Sequence, residues 1–340
     1  MTRVVVTGAS GNVGTSLLNA LAGDGDVTEV VGIARRLPSL AVEKTEWRVA
    51  DVEHDDLVPL FRGADCVVHL AWRIQPSHDL EALRRTNVGG SMRVFRAVAD
   101  AGVPALVHAS SVGAYSPGPK ERRVDESWPT EGTRTSFYAR HKAEVERLLD
   151  RFEQEQPETR VVRLRPALIF KRQSAEEQRR YFLGPFFPRL LARREAIPLV
   201  PDIPGLRFQA VHADDVGEAY RLAVAGDARG AFNVAAEPVL GPQELATSLG
   251  ARPFRLDPRV ARAALAASWR LRLQPTPEGW LDMGLSVPLM DTSRARAELG
   301  WEPQRTSVEA ILELLEGIAA EAGAPTPPLE PGRKPLHRVS

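Results

Sequence analysis

The sequence predicts an α/β fold in which a doubly wound parallel sheet carries helices on both faces, with a smaller carboxyl-terminal domain beside it. Three observations point there. A β-branched run ends in closely spaced glycines and leads straight into a helix, strand and helix signals then alternate, and 340 residues suffice for a core domain with a smaller partner.

The first unit is Arg3-Val4-Val5-Val6-Thr7, then Gly8-Ala9-Ser10-Gly11-Asn12-Val13-Gly14, then the helical Leu17-Leu18-Asn19-Ala20-Leu21. Gly8 suits a sharp turn off the strand, Gly11 leaves room for a pyrophosphate against main-chain N–H groups, and Gly14 lets helix pack on strand. The helix start aims unsatisfied N–H groups at such phosphates. A glycine-rich turn alone can be merely structural, but strand before and helix after supply the context of a dinucleotide site. Gly8, Ser10, Gly11, Asn12, Val13 and Gly14 are its candidate cofactor contacts.

Further strands are expected at Thr28–Ile33, Trp47–Ala50, Cys66–Leu70 and Ala105–Ala109, with helical periodicity clearest over Val94–Ala101 and Ala139–Phe152. Such alternation means parallel strands joined by right-handed crossovers. An acid about 20 residues past the glycine turn normally accepts from the adenosine ribose. Here Ala34 stands in its place, followed by Arg35 and Arg36, whose guanidiniums suit a 2′-phosphate and favour NADP. The alternative is a solvated turn, with NAD bound without that acid. Asp51 is a candidate acceptor for the adenine amino group and Val52 a candidate surface under its ring, an ordinary turn being the competing reading. Leu70 and Ala71 end the fourth strand at the carboxyl edge, where ligands of open α/β sheets lie.

The fifth strand also ends in hydroxyls, Ala109-Ser110-Ser111, and Ser136-Phe137-Tyr138-Ala139-Arg140-His141-Lys142 follows at a helix start. Tyr138 and Lys142 are four apart and share a helical face. An ammonium there favours the phenolate and lowers the tyrosine pKa toward the working pH. Tyr-x-x-x-Lys alone is weak, but joined to the glycine turn and to Ser111 it makes Ser111, Tyr138 and Lys142 the candidate catalytic residues.

Taken in order, Thr7 to Gly14, His69-Leu70-Ala71, Asn87-Val88-Gly89-Gly90, Ser110-Ser111 and Tyr138 to Lys142 resemble the motifs of the extended short-chain dehydrogenase/reductases, or NAD-dependent epimerase/dehydratase family. Arg163–Pro166, Val211–Val216, Phe232–Val234 and Ala297–Pro303 continue the likeness, which runs from about residue 3 to about 318. The resemblance implies a Rossmann-type NAD(P)-binding domain over 1–166, with 206–236 returning to it, and a substrate-binding domain from 167–205 and 237–321. It implies that Tyr138 moves a proton on or off the substrate oxygen, Ser111 hydrogen-bonds that oxygen, and Lys142 holds the nicotinamide ribose and tunes Tyr138. Tyr138 and Lys142 thus count among the cofactor contacts too. Nucleotide-sugar dehydratases of this family carry Thr-Asp-Glu where this chain has Ser111-Val112-Gly113, so the acids for water elimination are missing. Tyr115-Ser116-Pro117 also departs from the usual Tyr-Gly pair.

Lys plus Arg number 44 and Asp plus Glu number 44, so no net field draws the chain to nucleic acid or to an anionic membrane. The one cysteine, Cys66, sits in an apolar run and reads as a small buried hydrophobe. Met1 is followed almost at once by the first strand, and no apolar run nears the roughly 18 residues of a membrane helix, so a cytoplasmic protein is expected. Arginines and aromatics mix over Lys171–Leu191, where they either line an apolar cleft and bind an anion or are core and solvated face. Asp214 and Asp215 after His212 suit a helix start, and no metal is expected. Val260–Trp269 reads as a helix whose small residues allow close packing within the domain or against another subunit, and a homodimer is expected from the family likeness. Residues 322–340, rich in proline, are expected to form a mobile tail. The function these features favour is hydride transfer between NADP or NAD and a secondary alcohol or ketone of a small molecule. A nucleotide-sugar epimerase with the same Ser-Tyr-Lys site and a non-catalytic NADP-sensing regulator are the alternatives.

Overall fold

The computed structural model describes residues 1–331 other than Pro76, Pro185 and Phe186. Seven parallel strands form the central sheet: β1 (Thr2–Thr7), β2 (Val27–Ala34), β3 (Thr45–Val49), β4 (Cys66–His69), β5 (Ala105–Ala109), β6 (Arg160–Pro166) and β7 (Gly230–Val234). Their order across the sheet is β7-β6-β5-β4-β1-β2-β3. The strand order reverses between β1 and β4, which opens a crevice beyond their carboxyl ends.

Strand alternation divides the core between two layers. Val4, Val6, Val68 and Val107 face one way, and Val5, Val31, Val67 and Leu106 the other, all essentially without exposure. Both faces being covered explains why these strands read as continuous apolar runs. On the first face lie α1 (Asn12–Ala22) and, much later in the chain, a helix over Ala213–Ala225; on the second lie α2 (Gly90–Asp100) and α3 (Phe137–Glu155). The later helix, α4 (Ala213–Ala225), crosses α1 so closely that a Cβ on Gly217 would stand 2.8 Å from the Ser16 carbonyl carbon. His212 caps it by accepting from the Asp214 N–H, and Asp214 and Asp215 occupy its first turn, where carboxylates complement the dipole.

The remaining chain adds α5 (Pro258–Arg270), α6 (Gly279–Ser286), α7 (Ser307–Ala319) and short strands over Leu168–Phe170, Leu199–Asp202, Ala210–His212 and Arg252–Arg255. The helix expected at Val260–Trp269 is α5; it is tied down by Arg262 on Asp282 and by Trp269 stacked on His78 at 4.3 Å.

One expectation needs correction. Residues 322–331 are not a loose tail: Leu329 is completely buried, and Arg180 donates to the carbonyl oxygens of Pro328 and Glu330. A single apolar anchor and a guanidinium grip hold a proline-rich segment whose composition resembles a disordered one. Residues 332–340 lie outside the described residues.

Candidate active site

The glycine turn sits at the β1–β4 crevice. Gly8 has φ +73°, and a Cβ on it would lie 2.6 Å from the Ala71 nitrogen, so the chain from Leu70 to Ala71 forms the floor of the turn. A Cβ on Gly14 would stand 2.5 Å from the Gly8 and Ala9 carbonyl oxygens, which explains the third glycine. Gly11 precedes α1 and no side chain caps the first turn. Lys171 reaches in from the later half of the chain and donates to the Asn12 carbonyl and to the Thr15 and Ser16 hydroxyls. Around this cradle the buried Asn12 Oδ1, Trp72 Nε1 and Arg73 Nε have no hydrogen-bond partner among the described residues. An open cradle bordered by unspent polar atoms fits a bound dinucleotide.

At the adenosine end, Arg35 is exposed and Arg36 half-buried past β2. Burial, and next the Arg35 charge, hold the Arg73 guanidinium below its ordinary pKa, which places these two cations near one another. The Asp51 carboxylate accepts from the Glu53 N–H and caps its own turn. Val52 is buried against Gly90, where a Cβ would meet its Cγ2 at 2.8 Å, so this side chain is committed to α2. Asn87 fixes the backbone after Trp72: its Oδ1 accepts from the Arg73 N–H at 2.7 Å and its Nδ2 donates to the Arg73 carbonyl at 2.9 Å.

At the other end the structure separates the two adjacent serines. Ser110 is spent on Glu146, while Ser111 caps a short turn by accepting from the Gly113 N–H, and its hydroxyl works to hold the Tyr138 pKa down, which sets the two side chains near one another. Tyr138 and Lys142 share the first turns of α3, capped by Ser136. The expected lowering of the tyrosine pKa is not what the geometry produces. Burial pushes Tyr138 up to about 12 against the opposing Ser111 hydrogen bond. Lys142 donates to the Ala109 carbonyl at 2.6 Å and stands 3.5 Å over the Trp72 ring, 5.8 Å from the Tyr138 ring centre. Burial also brings Lys142 down to about 7, with Glu146 opposing.

Sequence reasoning missed the aromatic walls. Trp72 meets Tyr138 edge-on at 6.1 Å and Trp280 of α6 lies tilted on it at 5.1 Å. Trp72 directly follows the motif His69-Leu70-Ala71, a signal that was available; Trp280 is remote in sequence and only folding brings it in. Gly113 is required by the same packing, since a Cβ there would lie 2.9 Å from Tyr138 Cε1 and 3.1 Å from the Met283 sulfur. A glutamate at that position has no room while Tyr138 keeps its place, in line with the missing dehydratase acids. Gly113→Ala is expected to lower kcat about ten- to hundredfold by shifting the phenol a few tenths of an ångström, checked by turnover beside a thermal melt.

His69 shares hydrogen bonds with Thr7 and Ser91 and is held neutral by burial, its pKa near 3; its role is to join strand and helix. Arg179 and Arg189 pair with Glu176, which accounts for two of the arginines considered as anion ligands. His212 meets Glu313, and Asp214 accepts from Ser16. No cluster of three metal-binding side chains occurs among the described residues, and no helix among them is long and apolar enough to cross a membrane.

Comparison with known proteins agrees with this geometry. The profile of the NAD dependent epimerase/dehydratase family matches residues 4–235. The UDP-glucose 4-epimerase of Mycolicibacterium smegmatis is 28% identical over 92% of this chain and 97% of its own. The L-arabinose 1-dehydrogenase (NAD(P)(+)) of Haloferax volcanii is 38% identical over 112 residues, 33% of this chain and 41% of that one. Among solved structures, the Thermus thermophilus UDP-glucose 4-epimerase with NAD superposes with a TM-score of 0.68 at 22% identity, covering 93% of this chain and 99% of that one. A fold of this topology, a glycine cradle at its switch point and a matching profile over most of the chain lead to one conclusion: the chain belongs to the NAD-dependent epimerase/dehydratase family of extended short-chain enzymes.

Proposed function

We propose that the chain is an NAD(P)-dependent oxidoreductase that interconverts a secondary alcohol and a ketone of a small molecule, with Ser111, Tyr138 and Lys142 as its catalytic residues. The observation that carries this reading is the Tyr138 ring packed against Gly113 in the turn that Ser111 caps, one helical turn from Lys142 and edge-on to Trp72, which follows the floor of the glycine cradle. Two hydroxyls so placed hold a substrate oxygen between them. Tyr138 gives or takes the proton at that oxygen, and its raised pKa keeps it protonated and competent as an acid at neutral pH. Lys142 has a polar head within the same pocket that is free to exchange its Ala109 carbonyl for a ribose hydroxyl. When bound, a nicotinamide dinucleotide supplies or accepts the hydride. The residues that would hold it are Gly8, Ser10, Gly11, Asn12, Val13 and Gly14 at the pyrophosphate, with Leu70 and Ala71 beneath. In the balanced reaction, one ketone, one reduced dinucleotide and one proton exchange for one alcohol and one oxidised dinucleotide.

The test is absorbance at the reduced-nicotinamide band with ketones and with both cofactors. Consumption of cofactor in step with alcohol formation supports the reading. The epimerase reading is favoured by the mycobacterial relative's name, and product without net cofactor change would establish it instead. A cofactor-sensing regulator would show binding and no turnover.

NADP is the proposed preference, on the strength of Arg35, Arg36 and Arg73 at the ribose end. Arg35→Ala and Arg73→Gln are each expected to raise the NADP Kd about tenfold or more, as the loss of a charge-assisted contact would, and to change the NAD Kd little. Calorimetric titration checks this, and tighter binding of NAD by the unaltered chain would end the NADP proposal.

A further inference from the structure

Against the Tyr138 wall lies a cavity of about 410 Å³ between the sheet edge and the later helices. Its lining includes Val112, Trp280 and Met283, the neighbours of the catalytic phenol, and Ile311, Leu314 and Ile318 of α7. Half of its wall comes from beyond residue 235, outside the stretch that the family profile matches.

Among the described residues, none that lines it is charged. Its two polar side chains, Gln178 and Gln209, are already committed. Gln178 donates to the Ile169 carbonyl and the Ser174 hydroxyl. Gln209 donates to the Met290 carbonyl and accepts from the Met290 N–H. Among the described lining side chains, the buried donor without a partner is the Trp280 indole N–H, and that ring lies on Tyr138.

We infer that this cavity is the substrate site and that it takes the apolar ring or branched-chain skeleton of an uncharged ketone or alcohol, not a nucleotide sugar; the inference rests on the oxidoreductase reading and names its substrate class. A diphosphate entering such a wall loses water and meets no cation among the described lining residues, a cost that apolar contacts do not offset. Several cations that adjoin its lining residues or the segment around them are engaged elsewhere. Lys120, whose ammonium reaches the lining residue Gly284, donates to the carbonyls of Gly284 and Arg207. Arg179 and Arg189 are on Glu176, and Arg180 is on the carboxyl-terminal segment. An uncharged carbonyl compound, by contrast, needs polar partners only at its reacting oxygen, and Ser111 and Tyr138 stand next to the lining residues Val112, Trp280 and Met283.

The test separates binding from chemistry. Cyclohexanone, 2-decalone and UDP-glucose are titrated against the whole chain by equilibrium dialysis, without cofactor turnover. Each buried methylene contributes about fourfold, so 2-decalone is expected to bind at least tenfold tighter than cyclohexanone, with no saturable binding of UDP-glucose. Ile311→Asp, which places a carboxylate in the wall, is expected to weaken 2-decalone at least tenfold. Leu315→Phe, which narrows the cavity without charge, serves if the aspartate variant does not fold and is expected to act in the same direction. Saturable UDP-glucose binding, or affinity for ketones that ignores their size and both substitutions, overturns the inference even if Tyr138-dependent turnover is found. Size-dependent binding without turnover of any ketone by either cofactor supports the cavity assignment and overturns the oxidoreductase reading instead.

Discussion

Replacing Tyr138 by phenylalanine is expected to lower kcat by a factor of about 10²–10⁴, the range for removing a positioned general acid. Only the phenolic oxygen is lost. The ring is held by Trp72 and Trp280, so phenylalanine takes the same place and the neighbouring contacts persist. Ser111 remains as a single donor to the substrate oxygen, which accounts for residual turnover. The cofactor Kd is expected to shift by less than the rate, since the glycine cradle and the arginines are untouched. Steady-state kinetics beside a thermal melt decide the matter: an unchanged kcat with an intact fold would remove Tyr138 from the chemistry.

The largest effect on stability is expected at Glu146, one turn past Lys142. Its carboxylate is almost fully buried and is shared between Arg163 Nη1 at 2.8 Å and Arg165 Nε at 2.8 Å, with Ser110 donating as well. Arg165 in turn donates to the Tyr115 hydroxyl at 3.0 Å, and Tyr115 to Asn233 Oδ1 at 2.7 Å, so the network joins β6, β7 and the loop after β5. Glu146→Gln leaves Arg165 without its carboxylate and is expected to cost about 3–5 kcal/mol, the usual penalty for stranding a buried charge. Urea unfolding at neutral pH measures it.

The pH dependence follows from the same group. Burial works to raise the Glu146 pKa, but the two arginines and Ser110 outweigh it and bring it down to about 2, below its ordinary 4.5. A depressed carboxylate contributes stability that is fully present above its unfolded pKa and is lost as pH falls through its folded one. The gap between the unaltered chain and Glu146→Gln is therefore expected to hold at about pH 5 and above, and to narrow from about pH 4.5 toward about pH 2. A gap independent of pH over that window would show that packing, not charge, makes the difference.

Much of this was legible from local pattern. Strand identity followed from continuous β-branched runs, because a sheet covered on both faces has no polar side to interrupt them. The pairing of Tyr138 with Lys142 on one face followed from helical geometry alone. The glycines of the first turn announced themselves because their space is limited by backbone close by in sequence or at the adjacent strand end.

Other features depended on contacts remote in sequence. Of the two serines after β5, the sequence singled out Ser111, but what occupies Ser110 is decided from afar: the arginines of β6 hold Glu146 where it takes the Ser110 hydroxyl. Lys142 was read as tuning Tyr138, but the Ala109 carbonyl and the Trp72 face compete for its ammonium. That Val52 packs against Gly90 of α2 is likewise a contact between distant parts of the chain.

Residue order by itself thus determined the parallel sheet, the cradle at its first turn and the three candidate catalytic side chains, because each rests on spacings of a few residues. Tertiary structure alone decided the environment of those side chains: the two tryptophans around the phenol, the anchoring of Leu329 and the apolar cavity walled in part by α7. The reason is physical. Desolvation and shape belong to surfaces brought together from distant parts of the chain, and no local period encodes them.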